Sequence, residues 1–269
     1  MTAPVAVILG SAFGEPPAGV ALERLDIDTP WGAQTVFEAR GLGRPAYAIF
    51  RHGLPHRLLP HQVNWRAQAA ALAALQCRAL LVTSSVGVLR PDIPLYEPLL
   101  VSDVVMIDNR LPDGSACTMF AEPAPGQGHL LIEEGLCSAA LGRQLEDFAH
   151  RCGAPVAARV VFGYLCGPRI KTAAENRLWA RLGVDVDAMS LAPELVLANE
   201  LGIPSSALVA GHKYALPDAA GCADTDVAAS LRRSRDVQAR IVLEFLRTAE
   251  PVPFGNRLFA FADPRAHRT

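Results

Sequence analysis

The stretch Ala46-Tyr47-Ala48-Ile49-Phe50-Arg51-His52-Gly53-Leu54-Pro55-His56 does most to decide which fold this chain adopts. Its first half, residues 46–50, is apolar and has the composition of a buried strand. Its second half places one arginine and two histidines directly after that strand. An arginine fixed at a strand end presents a planar fork of donors suited to phosphate, and we expect His52 to add a donor. The alternative interpretation is an ordinary strand-to-loop junction whose polar residues face water.

The rest of the chain alternates between strand-like and helix-like patterns. We expect strands at 5–9, 41–50, 77–83, 99–108, 157–165, 184–188 and 206–210, and helices at 61–75, 136–151, 172–182, 193–201 and 224–249. Such alternation predicts an α/β fold, here one domain over residues 1–250 with a twisted mixed central sheet flanked by helices. Residues 251–269 read as an irregular tail. The loop 112–128, rich in proline and glycine, is long enough to move or to cover a site.

The composition narrows the class of protein. The chain has 269 residues, of which 51% are hydrophobic and 19% charged, so it can bury a sizeable core. Its net charge of −2 gives no sign of a nucleic-acid partner. No apolar run approaches the roughly 20 residues needed to span a bilayer, and no signal-type segment begins the chain. We therefore expect a cytoplasmic protein with no membrane partner.

The cysteines and histidines do not form a metal-binding pattern. The cysteines are scattered without a CxxC pair, at Cys77, Cys117, Cys137, Cys152, Cys166 and Cys222. This spacing indicates neither a zinc site nor a disulfide framework, and it favours a reducing compartment. His52, His56 and His61 lack a nearby carboxylate or cysteine that would complete a ligand set, so we expect no metal.

Four further stretches place polar groups at or near predicted strand ends. They are Gly10-Ser11-Ala12-Phe13-Gly14, Thr83-Ser84-Ser85-Val86-Gly87, Cys166-Gly167-Pro168-Arg169 and residues 187–194, which include Met189, Ser190, Pro193 and Glu194. A glycine loop after a strand offers backbone N–H groups to an anion. Taken one at a time, each stretch is equally an ordinary turn, a cap or core filling.

Together these stretches, in the same order and with similar spacing up to about Ala210, resemble the methylthioadenosine phosphorylase and purine nucleoside phosphorylase family. The counterparts are that family's GSGLG loop, RHG…H…VNY segment, phosphate-binding turn, EGPR signature and NMT…PE segment. The resemblance implies a pentosyltransferase of purine metabolism that uses inorganic phosphate as co-substrate and needs no cofactor. It also implies a homotrimer with sites near the subunit interfaces.

The resemblance assigns roles to particular residues. It implies a phosphate-binding set made of Ser11, Arg51, His52, Ser84, Ser85 and Ser190. It implies substrate contacts from His56, Cys166 and Met189, with the methionine against the ribose. In that family phosphate attacks the anomeric carbon through an oxocarbenium-like transition state. Catalysis then comes from positioning and electrostatics and needs no protein nucleophile.

The chain departs from the family on the side of the base. Cys166 stands where the family has an acidic residue or glutamine, and Lys213 and Ala215 stand where methylthioadenosine phosphorylases carry two aspartates. Because an ammonium group cannot accept a hydrogen bond, Lys213 cannot copy an aspartate. It can donate to a ring nitrogen or a carbonyl, so we expect Lys213 to be catalytic, with His212 as a second donor. In the alternative, Lys213 faces solvent and the base-reading group is lost.

The leading hypothesis is thus a nucleoside phosphorylase-like glycosyltransferase that acts on a purine-type or modified nucleoside through an atypical base pocket. Two alternatives remain. One is an enzyme of specialised metabolism that transfers or hydrolyses a modified nucleoside. The other is a catalytically silent nucleoside-binding homologue or assembly partner.

Overall fold

The computed structural model describes residues 2–123, 126–216 and 227–260, and the statements below concern these residues. The strands are β1 (Val5–Leu9), β2 (Ala21–Ile27), β3 (Gln34–Arg40), β4 (Ala46–Phe50), β5 (Leu80–Val88), β6 (Pro98–Val105), β7 (Gly128–Leu131), β8 (Ala158–Tyr164), β9 (Val186–Ala188), β10 (Ser205–Tyr214) and β11 (Arg257–Ala260). The helices are α1 (Trp65–Ala74), α2 (Ala139–Arg151), α3 (Ala173–Arg181), α4 (Ala192–Glu200) and α5 (Val227–Thr248).

A mixed nine-stranded sheet forms the centre of the molecule, in the order β10-β6-β8-β9-β5-β1-β4-β3-β2. Strand β1 is parallel to both of its neighbours, whereas β2 and β3 continue the edge in antiparallel fashion. Every residue of β1 and β5 is buried, as expected for central strands covered on both faces. The predicted α/β fold with a mixed central sheet is confirmed.

The sheet closes on itself at one end. Strand β10 pairs with β6 and also with β5, so that β5, β10, β6, β8 and β9 form a closed ring. The register between β10 and β5 shifts between Gly211 and Lys213, which marks a bulge. A bulge re-aims the side chains that follow it, so the end of β10 does not continue the simple in–out alternation of its core half.

Short local signals set the starts of three helices. Asn64 caps α1, where its side chain accepts from the Ala67 N–H at 3.1 Å. Thr172 and Glu175 form a reciprocal capping box at the start of α3. Pro193 lies in the first turn of α4, where a missing N–H costs little. Each predicted helix is present, with ends that differ from the prediction by a few residues, and positions 224–226 lie outside the described residues.

Three sequence-based predictions differ from the structure. The β2–β3 hairpin was not predicted, because β2 is an edge strand rich in charged residues and has no buried face. Residues 84–88 were expected to form a turn but continue β5, because β10 and β9 pair with them. The tail after residue 250 is not irregular throughout. Its residues 257–260 form β11, which pairs antiparallel with β7.

The part of the long loop around Thr118 packs beside helices α1 and α4. Arg66 of α1 donates to the Thr118 carbonyl at 2.8 Å, and the Thr118 hydroxyl donates to Glu200 of α4 at 2.9 Å. In the described part of the chain, no helix has the length and apolar character needed to cross a membrane.

Candidate active site

A cavity of about 450 Å³ opens where β1, β4, β5, β9 and β10 end. It is lined by Ser11, Arg51, His52, His56, Pro60, Ser84, Ser85, Gly87, Leu165, Ile170, Lys171, Asn176, Asp187, Ala188, Met189, Ser190, His212, Lys213, Tyr214 and Ala215. The structure thus brings together all but one of the residues singled out from the sequence. Cys166 is the exception: its half-buried side chain packs against the core instead, and burial raises the pKa of its thiol.

Arg51 lies fully buried at the end of β4 and is held by a bidentate ion pair. Its Nε and Nη2 donate to the two carboxylate oxygens of Glu194 at 2.7 and 2.8 Å, and Nη2 also donates to the Thr83 carbonyl at 3.0 Å. Neither side chain of the pair is exposed at all. Glu194 accepts a further bond from the Leu191 N–H at 2.9 Å. The guanidinium is therefore fixed in one orientation by hydrogen bonds to two elements, α4 and β5.

Several donors beside this pair have no protein partner. Arg51 Nη1 and Ser85 Oγ are buried without a hydrogen bond to any described residue. The hydroxyls of Ser84 and Ser190 lie 3.1 Å apart and bond to each other. Buried donors are seldom left unpaired, because an unmade bond costs about 1–3 kcal/mol. This end of the cavity is therefore suited to a ligand rich in acceptor oxygens.

The histidines on this side are arranged differently from the expectation. His52 stacks on His56, with ring centroids 4.5 Å apart, and its Nδ1 lies 2.9 Å from the Leu58 carbonyl. Burial, aided by the charge of Arg51, lowers the pKa of His52 to about 3, so the ring is neutral at pH 7. Its one proton lies on Nδ1, because a carbonyl can only accept. Nε2 of the neutral ring is then an acceptor, and the donor role expected for His52 toward an anion stays a prediction that requires a second proton on the ring.

The glycine loop after β1 approaches Arg51 closely. A Cβ placed on Gly10 would lie 2.8 Å from the Thr83 carbonyl oxygen and 2.9 Å from Arg51 Nη1. Only glycine fits there. A Cβ on Gly14, in contrast, would meet nothing within 4 Å. Ala12, which replaces a glycine of the resembled family, is not among the described residues with a positive φ, so the loop accommodates it.

The opposite end of the cavity carries the residues that depart from the family. Lys213 lines the cavity and is also solvent-exposed. Burial, together with the charge of Lys213, lowers the pKa of His212 to about 4, so His212 is neutral at pH 7. Lys171 forms an ion pair with the buried Asp187. Burial raises the pKa of Asp187, and the charges of Lys171 and Lys213 oppose that shift.

Sequence reasoning assigned no site role to Glu194, Asp187 and Lys171. One signal pointed to the last of these, since Lys171 and Lys213 are the only lysines among 25 Lys and Arg residues. Nothing in the linear sequence indicated that Glu194 would meet Arg51, because 143 positions separate them.

Replacing Glu194 by alanine leaves the Arg51 charge buried and unpaired. We expect the free energy of unfolding to fall by about 3–5 kcal/mol, the usual cost of breaking a buried pair from one side. Glu146→Ala is the matched control, because it removes the carboxylate of an exposed pair with Arg159 and should cost about 0–1 kcal/mol. Urea unfolding at pH 7 measures the free energy of unfolding of both variants. Equal losses in the two would contradict the interpretation that Glu194 balances the buried charge of Arg51.

Gly10→Ala should push the new methyl group against the Arg51 guanidinium. We expect the free energy of unfolding to fall by about 1–3 kcal/mol, which is typical of overpacking. We also expect that phosphate, which should raise the melting temperature of the wild type, no longer raises that of the variant. Gly14→Ala is the control in the same loop and should retain both properties. A Gly10→Ala variant that phosphate still stabilises fully would argue against an anion at Arg51.

The comparisons with known proteins identify the family of this chain. The family model of the phosphorylase superfamily matches residues 4–247. A probable S-methyl-5'-thioinosine phosphorylase of Methanopyrus kandleri is 34% identical over 214 residues, which cover 78% of this chain and 78% of that relative. A probable 6-oxopurine nucleoside phosphorylase of Moorella thermoacetica is 31% identical over 199 residues, covering 74% of this chain and 75% of the relative.

Solved structures show the same fold. A methylthioadenosine phosphorylase from an antarctic soil metagenomic library superposes with a TM-score of 0.81 at 20% identity, covering 94% of this chain and 90% of its own. The Schistosoma mansoni methylthioadenosine phosphorylase in complex with tubercidin gives 0.78 at 22% identity, covering 91% and 90%. The family model spans nearly all of the described residues, and two relatives exceed 30% identity over most of their length. The resemblance seen in the sequence is thereby confirmed, and the chain belongs to the phosphorylase superfamily.

Proposed function

We propose that this chain is a nucleoside phosphorylase, a pentosyltransferase that uses inorganic phosphate to cleave an N-glycosidic bond. Its family and the activities for which its relatives are named support this class of reaction. The observation that carries the proposal is the division of the cavity into two ends. One end holds unpartnered donors around Arg51, and the other holds Lys213.

The Arg51 end fits phosphate. The hydroxyls of Ser11, Ser84, Ser85 and Ser190 and the free Nη1 of Arg51 supply donors for its oxygens. Because Glu194 already balances the charge of Arg51, the anion is held by directed hydrogen bonds more than by net charge. Phosphate serves as the co-substrate, and this chemistry requires no cofactor.

The reaction follows from the positions of the two ends. A phosphate oxygen attacks the anomeric carbon of the sugar while the bond to the base nitrogen breaks, and the electron pair leaves with the base. The anion then lies beside the positive charge that develops on the sugar, which is electrostatic stabilisation by the bound nucleophile itself. Met189 and His56 also line the cavity, and we assign them to the sugar.

The Lys213 end fits a base that accepts negative charge. Arg51 and Lys171 are paired with carboxylates, whereas among the described residues no carboxylate forms an ion pair with Lys213. Its ammonium group can donate to a carbonyl oxygen and stabilise the departing base. His212 is neutral and is the second donor. The side chain of Ala215 offers no polar group, so adenine would find neither of the aspartates expected for its recognition.

The decisive experiment is a nucleoside panel with and without phosphate, in which free base is separated by chromatography. We expect phosphate-dependent release from inosine and methylthioinosine, and roughly 100-fold less efficient cleavage of adenosine and methylthioadenosine, because two matched hydrogen bonds are missing at about 1–3 kcal/mol each. Release without phosphate would indicate a hydrolase. No release from any nucleoside would indicate a silent homologue, and rapid methylthioadenosine cleavage would overturn the specificity.

The role of Lys213 is tested by Lys213→Met, which retains bulk and removes charge. If Lys213 stabilises the leaving base, kcat should fall about 100-fold, the usual scale for such assistance, while KM for phosphate stays near the wild-type value. Arg177→Met, an exposed cation on α3 outside the cavity, is the matched control. Unchanged turnover in Lys213→Met would make this lysine a bystander.

We also propose that the protein is a cytoplasmic homotrimer. Two observations support this: the strongly exposed Ile107 and Ile132, which lie near or at a second cavity, and the unpaired state of the described cysteines. Light scattering after size exclusion should give three times the 28.7 kDa chain mass, and a monomer mass would refute the trimer.

A further inference from the structure

Three neighbouring strands bring Asp187, Gly87 and Lys213 into one row. Gly87 on β5 pairs with Asp187 on β9 and with Lys213 on β10. Gly87 has no side chain, and a Cβ there would lie 3.2 Å from Asp187 Oδ1 and 3.4 Å from the Ala215 Cβ, so glycine is what leaves room beside the Asp187 carboxylate. The register thus places a carboxylate residue and a lysine on either side of Gly87, and all three residues line the cavity.

The carboxylate of Asp187 is only half satisfied. Its side chain is 3% exposed, and its Oδ1 is bound by Lys171, whose own side chain is 11% exposed. Its Oδ2 is buried and has no partner among the described residues. A buried carboxylate oxygen left unpaired is costly, so its presence at a ligand cavity indicates a donor that a ligand brings. Burial raises the pKa of Asp187, and the charge of Lys171 opposes that shift while the ion pair orients the carboxylate.

We propose that Asp187, held by Lys171, and Lys213 form an acceptor–donor pair that reads the –NH–C(=O)– edge of an oxo base. This inference rests on the proposed function and names its substrate class. Asp187 Oδ2 accepts from the ring N–H, and the Lys213 ammonium donates to the adjoining carbonyl oxygen. Both 6-oxopurines and pyrimidine-2,4-diones carry this edge, and the experiment below separates the two.

The pair favours an oxo base over an amino base for an electronic reason. When the bond from the anomeric carbon to the base nitrogen breaks, the electron pair passes into the base. In an oxo base it delocalises onto the carbonyl oxygen, beside Lys213, which stabilises the charge without losing its own proton. An amino group at the same place cannot take up that charge. An adenine edge also presents its donor and acceptor in the reverse order.

The test measures kcat/KM for inosine, uridine and adenosine at saturating phosphate, in the wild type and in Asp187→Asn. We expect the wild type to prefer an oxo nucleoside to adenosine. The higher kcat/KM of the two oxo nucleosides, inosine or uridine, shows whether the base is a 6-oxopurine or a pyrimidine-2,4-dione. Asp187→Asn should lose about 10- to 100-fold on the preferred oxo nucleoside, the cost of weakening one buried charged hydrogen bond, while KM for phosphate is retained. The ratio of kcat/KM for the oxo nucleoside to kcat/KM for adenosine should therefore fall in this variant.

Asp185→Asn is the matched control. This neighbouring carboxylate is also buried and accepts from the Val161 N–H at 2.8 Å, but it does not line the cavity. It should affect stability without changing the substrate ratio. If Asp187→Asn does not fold, the double variant Asp187→Leu/Lys171→Met replaces the whole ion pair by apolar groups, a change that folded proteins often tolerate. Its substrate ratio should fall in the same way.

Failure of the inference and failure of the proposed function give different results. If the wild type cleaves adenosine best, or if Asp187→Asn and the double variant keep the wild-type ratio, the inference is overturned and phosphorolysis stands. If no nucleoside is cleaved, the proposed function fails. The Asp187–Lys213 pair is then tested by the melting temperature of the protein in the presence of each free base. Hypoxanthine or uracil stabilising the wild type more than adenine, with that preference lost in Asp187→Asn, supports the pair. Equal shifts in melting temperature with all three bases, or no shift with any of them, overturn the pair.

Discussion

The buried ion pair between Arg51 and Glu194 is the interaction on which the rest of the site depends. It joins the end of β4 to the first turn of α4, and the Thr83 carbonyl of β5 completes the attachment. Two charges removed from water are stable only when geometry and additional hydrogen bonds are close to ideal. The geometry of this ion pair therefore fixes the start of α4, the position of the glycine loop after β1 and the direction in which Arg51 presents its unpaired Nη1.

That constraint extends to the chain around Ser190. Leu191 has a φ of 74°, an unusual conformation for a residue other than glycine, and its N–H donates to Glu194. The backbone strain is tolerated because the surrounding core and the carboxylate over-determine this turn. As a consequence, Met189 and Ser190 are directed into the cavity at the point where β9 ends and α4 begins.

The cavity is electrostatically asymmetric in a way that the family resemblance alone does not suggest. At the Arg51 end a carboxylate neutralises the cation, whereas the Lys213 end carries Lys171, Asp187 and Lys213, with one more positive than negative group. Ring closure through β5 and β10 is what places these three residues together, since they come from a loop and two strands separated along the chain. A base that leaves with negative charge suits such an end.

The sequence by itself determined the fold class, the family and the group of residues that meet in the cavity beside Arg51. It could do so because those signals are local: an apolar run, a glycine loop, or a hydroxyl or arginine at a strand end. The sequence determined less about the edge of the sheet. Strand β2 is rich in charged residues, and its hydrophobic pattern does not distinguish it from a loop. The tertiary structure decided which groups remain free. In the folded chain the Nδ1–H of His52 donates to the Leu58 carbonyl, the half-buried Cys166 packs against the core, and Arg51 pairs with Glu194. These outcomes depend on contacts between distant positions and on burial, and neither quantity is present in the order of the residues.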